Sequence, residues 1–103
     1  MSKPRSELNA KFKEILGNNN VYFQPPESVK LNYDCIIYKD VSPYTMRANN
    51  YVYILQHKYQ ITYITSNPVS PIVDRMLREF QMIDRVNDFI SDGLYHYVYE
   101  LYF

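Results

Sequence analysis

The stretch that most limits the fold is "MIDRVNDFISDGLYHYVYELYF", residues 82–103. Asp-Gly accepts positive φ at both central positions of a two-residue turn, and that turn's twist matches the twist of paired strands. With alternating segments on either side, the pattern predicts a strand over about 82–90, a turn at Asp92-Gly93 and a strand over 94–102. In the last strand, Tyr97, Tyr99 and Leu101 alternate onto one face and are assigned to the core. His96, Glu100 and Tyr102 take the other face, where a neighbouring subunit could meet them.

The clearest alternation elsewhere is in "KYQITY". Tyr59, Ile61 and Tyr63 share one face, and Lys58, Gln60 and Thr62 share the other, as in a strand with one face on the core. This strand is expected to start as early as Tyr51, forming a long hairpin with the strand before it. That earlier strand, "YDCIIY" over 33–38, is apolar on both faces and reads as central. A short strand at 20–24, "NVYFQ", is closed by Pro25 and Pro26, which cannot donate to a ladder.

Two segments carry helical spacing instead. Leu8, Phe12, Ile15 and Leu16 form one stripe of a helix over 4–16, stopped by Gly17 and three asparagines. Ser70-Pro71 reads as a helix start, with serine as cap and proline in the first turn. Ile72, Val73, Met76, Leu77 and Phe80 form its apolar stripe. On its wet side the spacing allows two i,i+4 pairs, Asp74 with Arg78 and Arg75 with Glu79. The order predicts a single α+β domain over residues 1–103, a mostly antiparallel sheet of four to five strands with two helices packed on one face.

A chain of 103 residues supports one modest core. Its aromatic residues are 12 Tyr and 5 Phe with no Trp, so most of its rings carry a polar tip suited to a half-wet core or a contact surface. Eleven basic and eleven acidic side chains cancel, leaving no net pull towards nucleic acid or an anionic membrane. Aromatic strands can serve as stacking platforms for single-stranded nucleic acid, but residues 94–103 contain no Lys or Arg to hold the phosphates. The first residues do not read as a secretory signal, and no apolar run approaches the roughly 20 residues of a membrane span. The single cysteine, Cys35, cannot form an internal disulfide. A cytoplasmic site of folding is expected.

The chemistry-bearing residues are sparse. His57 and His96 each stand without a second ligand at a metal-binding spacing, and no C-x-x-C occurs. Cys35 lies in an apolar run and reads as a buried thiol. With only Gly17 and Gly93, no phosphate-cradling loop is available. Asp84, Asp88 and Asp92, four apart, would share one face of a strand, but lack the glycine and terminal glutamate of a calcium loop. No catalytic residue, cofactor or metal is expected, and interaction is the function class that remains.

An ordered set of segments resembles the small bacteriophage tail-completion proteins of the tail-terminator or head–tail joining type. "PRSELNAKFKEILGNNNVYFQPP" is similar to their opening, "YDCIIYKD" to their central strand and "RANNYVY" to a loop with an Asn-Asn-x-x-Tyr-like pattern. "KYQITYITSNPVSPIVDRML" and "DGLYHYVYELYF" resemble the strand, helix and aromatic ending that follow. The resemblance implies a non-enzymatic homo-oligomer, a ring that is typically hexameric, on the head-proximal end of the tail tube. Its implied partners are the tail-tube protein and the head connector or stopper, with DNA passing through the lumen unread and no membrane involved. It implies a virion location in the tail or neck, reached from the host cytoplasm during assembly. Other neck roles, such as head completion, and in a different class a single-stranded nucleic-acid-binding module, are the alternatives. The polar segment from Tyr44 to Tyr53 is long for a hairpin loop, and contacts concentrate on such loops. Arg47, Asn49, Asn50, Tyr51 and Tyr53 are therefore candidates for subunit or lumen-side contact, together with His96, Glu100 and Tyr102.

Overall fold

A computed structural model describes residues 4–42, 47–48, 51–52 and 57–103. In chain order the elements are helix α1 (Arg5–Leu16), strands β1 (Val21–Phe23), β2 (Cys35–Asp40), β3 (Arg47–Ala48), β4 (Tyr51–Val52) and β5 (Lys58–Thr65), helix α2 (Ile72–Glu79), and strands β6 (Ile83–Ser91) and β7 (Leu94–Tyr102). Five strands form one sheet in the order β1-β2-β5-β7-β6. β1 runs parallel to β2 and every other neighbour is antiparallel. This is the expected α+β arrangement, mostly antiparallel, with one parallel pair.

α1 buries the four residues its spacing singles out, Leu8, Phe12, Ile15 and Leu16. Gly17 ends it at φ 81°, where a side chain would be strained, and its N–H donates to the Lys13 carbonyl at 2.9 Å. α2 starts one residue later than its sequence suggests. Pro71 occupies the cap position, and Ser70 Oγ instead accepts the Ile72 N–H at 3.3 Å. Of the predicted stripe, Val73, Met76 and Phe80 are buried, whereas Leu77 is exposed, because this eight-residue helix turns a narrow edge to the sheet. The Arg75–Glu79 pair forms at 3.3 Å.

The register places one row per pleat across the sheet. Phe23, Tyr38, Ile61 and Tyr99 face the helices in one row, and Ile36, Tyr63 and Tyr97 in the next. The rings interlock: Phe12 meets Tyr38 edge-on at 5.0 Å between centroids, and Phe80 at 5.8 Å. Three of these tyrosines tie the sheet to what covers it. Tyr38 donates to Asn9 Oδ1 of α1 at 2.7 Å, Tyr99 donates to the Val73 carbonyl of α2 at 3.0 Å, and the Tyr63 hydroxyl lies 2.8 Å from Ser70 Oγ. The tyrosine-rich composition thus serves this core directly, each ring buried and its polar tip satisfied.

Two expectations need correction. β5 begins at Lys58, not at Tyr51; Tyr51–Val52 pairs instead with Arg47–Ala48 in a separate two-stranded ladder outside the main sheet. The three aspartates also do not share a face. Val86 is an extra residue, a bulge between Arg85 and Asn87, and it reverses the alternation after it. Asp84 pairs with Glu100 on the face away from the helices, Asp88 pairs with Tyr97 on the helix side, and Asp92 sits in the turn.

Candidate interaction surfaces

With both helices on one side, the sheet has an open face whose rows can be read from the register. Cys35, Ile64, His96 and Phe89 form one row, and Lys39, Gln60, Glu100 and Asp84 another. His96 stacks on Phe89 at 4.7 Å between centroids and 13° between planes, with its Nδ1 3.1 Å from the Leu94 carbonyl. Glu100 accepts an ion pair from Lys58 at 3.6 Å, and the Lys58 ammonium also stands 5.8 Å from the Tyr102 ring centroid. Exposed pairs of this kind contribute a few tenths of a kcal/mol, roughly, so they orient side chains more than they stabilise. His96, Glu100 and Tyr102 therefore lie together on the open face, the side their alternation indicates. Tyr102 is among the exposed large hydrophobic side chains.

Of the loop candidates, Arg47 and Tyr51 fall on the small ladder, in pairs with Val52 and Ala48 respectively. Asn49, Asn50 and Tyr53 lie outside the described residues.

The connection from β1 to the parallel β2 must cross from one end of the sheet to the other, and residues 24–34 do so over the open face. Pro25, Val29 and Leu31 from this connection line a cleft of about 660 Å³ with Ile37, Gln60 and Thr62 of the sheet. Its end is fastened by Asp34, whose carboxylate accepts from Thr65 Oγ1 at 2.8 Å and from the Ser66 N–H at 3.3 Å. Next to it, Cys35 is fully buried. Burial, aided by the neighbouring Asp34 charge, pushes its thiol up to about 11, so at neutral pH it is protonated and a poor nucleophile.

A polar cluster that the sequence hides joins Asp40, Ser42 and His57. Asp40 Oδ2 is 3.0 Å from His57 Nδ1, Asp40 Oδ1 accepts the Ser42 N–H at 2.8 Å, and Ser42 Oγ accepts the Lys58 N–H at 2.9 Å. Burial works against the Asp40 carboxylate, but the hydroxyl and N–H of Ser42, with His57, outweigh it and hold the carboxyl below its ordinary value. The residue types are those of a catalytic triad, but the geometry is different. A serine activated by histidine must face the ring nitrogen remote from the carboxylate. Here Ser42 Oγ approaches the same Nδ1, at 3.5 Å, that faces Asp40. The cluster clamps the two feet of the segment between β2 and β5, a job reinforced by the His57 and Phe103 backbones, which exchange hydrogen bonds of 3.2 and 3.0 Å.

Among the described residues, no group of three or more His, Cys, Asp or Glu is placed to hold a metal ion, and no buried side-chain nitrogen or oxygen lacks a partner. No described helix is long and apolar enough to cross a membrane.

The remaining surface of note is β6. It is one of the sheet's two edge strands, paired on one side with β7, and eight of its nine residues are exposed. Val86, Phe89 and Ile90 put apolar area into solvent, Ile90 at 67% exposure. Alternation suggests a strand here but not the bulge, so sequence reasoning missed that the strand presents apolar side chains to both faces. No family model matches this chain, and neither a curated protein nor a solved structure was found to be similar to it.

Proposed function

We propose that this chain is a structural subunit of a bacteriophage tail that closes into a ring, hexameric as in the tail-completion proteins it resembles, on the head-proximal end of the tail tube. The ring stops tube growth and presents a joining surface to the head connector, with DNA passing through its lumen. The observation that supports the reading is the open face of the sheet, onto which the register sets His96, Glu100 and Tyr102, beside a second ladder, Arg47–Ala48 with Tyr51–Val52, that lies outside that sheet and offers a second, different contact element. A head-to-tail ring needs two different patches on each subunit, one meeting the other on its neighbour. Asp34, Asp40, Ser42 and His57 are occupied in fastening loops to the sheet, which suits a protein whose task is to hold a shape.

Tails assembled without the chain should grow past their normal length, and purified chain should appear as a ring on the ends of bare tubes by electron microscopy. Normal tube length without it, and bare ends in its presence, would overturn the reading. Glu100→Ala with Tyr102→Ala should weaken capping by about ten-fold or more if the open face is a ring contact, the scale of losing a buried aromatic anchor.

A further inference from the structure

We propose that β6 pairs with β6 of a second copy across a two-fold axis that passes between Val86 and Asn87 at the bulge, joining two five-stranded sheets into one continuous sheet. An exposed edge of nine residues, about 30 Å at the usual rise per residue, offers unpaired N–H and C=O groups to any extended chain. A bulge normally spoils such pairing, because the inserted residue puts everything beyond it on the wrong face of a regular partner. A second copy carries the same insertion. Laid antiparallel with the two bulges opposed, it is a strand in which the faces match on both sides of the irregularity.

The register supports this residue by residue. Ile83, Arg85, Asp88 and Ile90 lie on the helix side of β6, aligned with Leu101, Tyr99, Tyr97 and Tyr95. Counting Val86 and Asn87 together as one step, these four positions are symmetric about it. The two-fold pairing therefore sets Arg85 beside Asp88 of the other copy, and Asp88 beside its Arg85. It also sets Ile90 beside Ile83 of the other copy, at both ends of the contact. Opposite charges fall together twice and the most exposed apolar residue of the strand is covered twice, while Asp84 and Phe89 meet on the open face. Opposite charges directly across a strand pair are favourable and like charges unfavourable, so the pattern selects this register over its neighbours.

Within one chain Arg85 and Asp88 are already 3.1 Å apart, their side chains 38% and 59% exposed at the edge, with the Arg85 guanidinium also 5.1 Å from the Tyr97 ring centroid, so each can also reach across the edge. The two-fold pair joins like to like through the β6 edge, whereas the ring needs unlike contacts, so the two are separate associations even though Phe89 of β6 stacks on His96 of the open face. It covers the edge of the free chain, and its test involves no tail.

The test is sedimentation equilibrium on the purified chain and on Arg85→Asp and Asp88→Arg, alone and mixed. The parent should be a dimer, and each variant alone should dissociate about ten-fold or more readily, since two attractive pairs become two repulsive ones. A one-to-one mixture should restore dimers. One variant then carries two acidic groups at these positions and the other two basic ones, so they are complementary across the axis, although neither regains its internal pair. Circular dichroism of each variant should match the parent, as both positions are exposed. A monomeric parent at the highest soluble concentration would overturn the proposal. So would variants that dimerise like the parent, or a mixture no more dimeric than its components.

Discussion

The hydroxyl of Tyr99 donates to the backbone carbonyl of Val73 at 3.0 Å, so the strand between β5 and β6 is bonded to the first turn of α2. Both residues are buried, and the bond spans 26 positions of sequence. Tyr99→Phe keeps the ring and removes only the donor. It should lower stability by about 1 kcal/mol, the usual net worth of a buried hydrogen bond. In urea this reads as a lower midpoint at unchanged slope, because the surface exposed on unfolding is the same. An unchanged midpoint would mean that the sheet and α2 are held by ring packing alone.

Buried tyrosines also set the alkaline limit. Burial raises the pKa of Tyr99, Tyr38 and Tyr59 above the ordinary value of 10.0; the nearby Arg5 works against this at Tyr38, and the Asp40 charge adds to it at Tyr59. A phenol whose pKa is higher folded than unfolded contributes stability below the unfolded value and loses it as pH rises towards the folded one. Stability should therefore be flat on this account up to about pH 10 and fall steeply above it. Absorbance at the phenolate band should show exposed tyrosines ionising first and the buried ones only with loss of far-ultraviolet ellipticity. Simultaneous, reversible ionisation of all tyrosines in the folded protein would contradict this.

On the acid side the sign is reversed. The Asp40 carboxyl is held below its usual value of 3.8, with Ser42 and His57 outweighing burial. Its contribution is complete above the unfolded pKa and is lost as pH falls through the lower folded one. Asp40→Asn should make the stability profile shallower below about pH 4, and should cost stability at neutral pH, where the charged partner of His57 is gone. The measurement is urea unfolding at a series of pH values, parent against variant. Parallel profiles would show that the clamp is not held by the carboxylate's charge.

The parts of this fold that could be read from sequence are those whose signal is local. The stripe Leu8, Phe12, Ile15, Leu16 declares α1, and Asp92-Gly93 declares the hairpin, because each pattern is complete within its own element. Three features could not be read this way. The triplet Val21–Phe23 says nothing about its partner, and its parallel pairing with β2 depends on how residues 24–34 cross the open face. The Asp40–His57 contact joins residues 17 apart that meet only once β2 and β5 pair. The bulge is the third: "IDRVNDFI" alternates plausibly in either phase, and only pairing with β7 decides where the phase changes. The open-face placement of His96, Glu100 and Tyr102 was legible because β7 itself is regular, pairing without interruption to β5.

Cys35 is fully buried beside Asp34, with its thiol pushed up to about 11. A thiol reagent at neutral pH should modify it only as fast as the chain opens, so modification should accelerate in urea in step with unfolding. Rapid labelling in native buffer would show that the strand ends breathe independently of the core. Cys35→Ala should be milder than Cys35→Asp, which would bury a carboxylate next to Asp34 at a cost of several kcal/mol, roughly.

The turn that constrains the fold from the outset carries its own test. Asp92 and Gly93 both have positive φ, 53° and 74°, as a two-residue hairpin of this twist requires. A Cβ added at Gly93 would meet nothing within 4 Å, so any cost of substitution comes from the backbone conformation and not from a clash. Gly93→Ala should therefore destabilise by about 1 kcal/mol, the penalty of the left-handed region for an ordinary residue. Gly93→Asn should cost less, since asparagine tolerates that region, and Gly93→Val should cost most because it is β-branched. Urea midpoints ranked in the order Gly, Asn, Ala, Val would establish the conformational origin. A ranking by side-chain volume alone, with Asn no better than a residue of its size, would place the cost in packing at the hairpin tip instead.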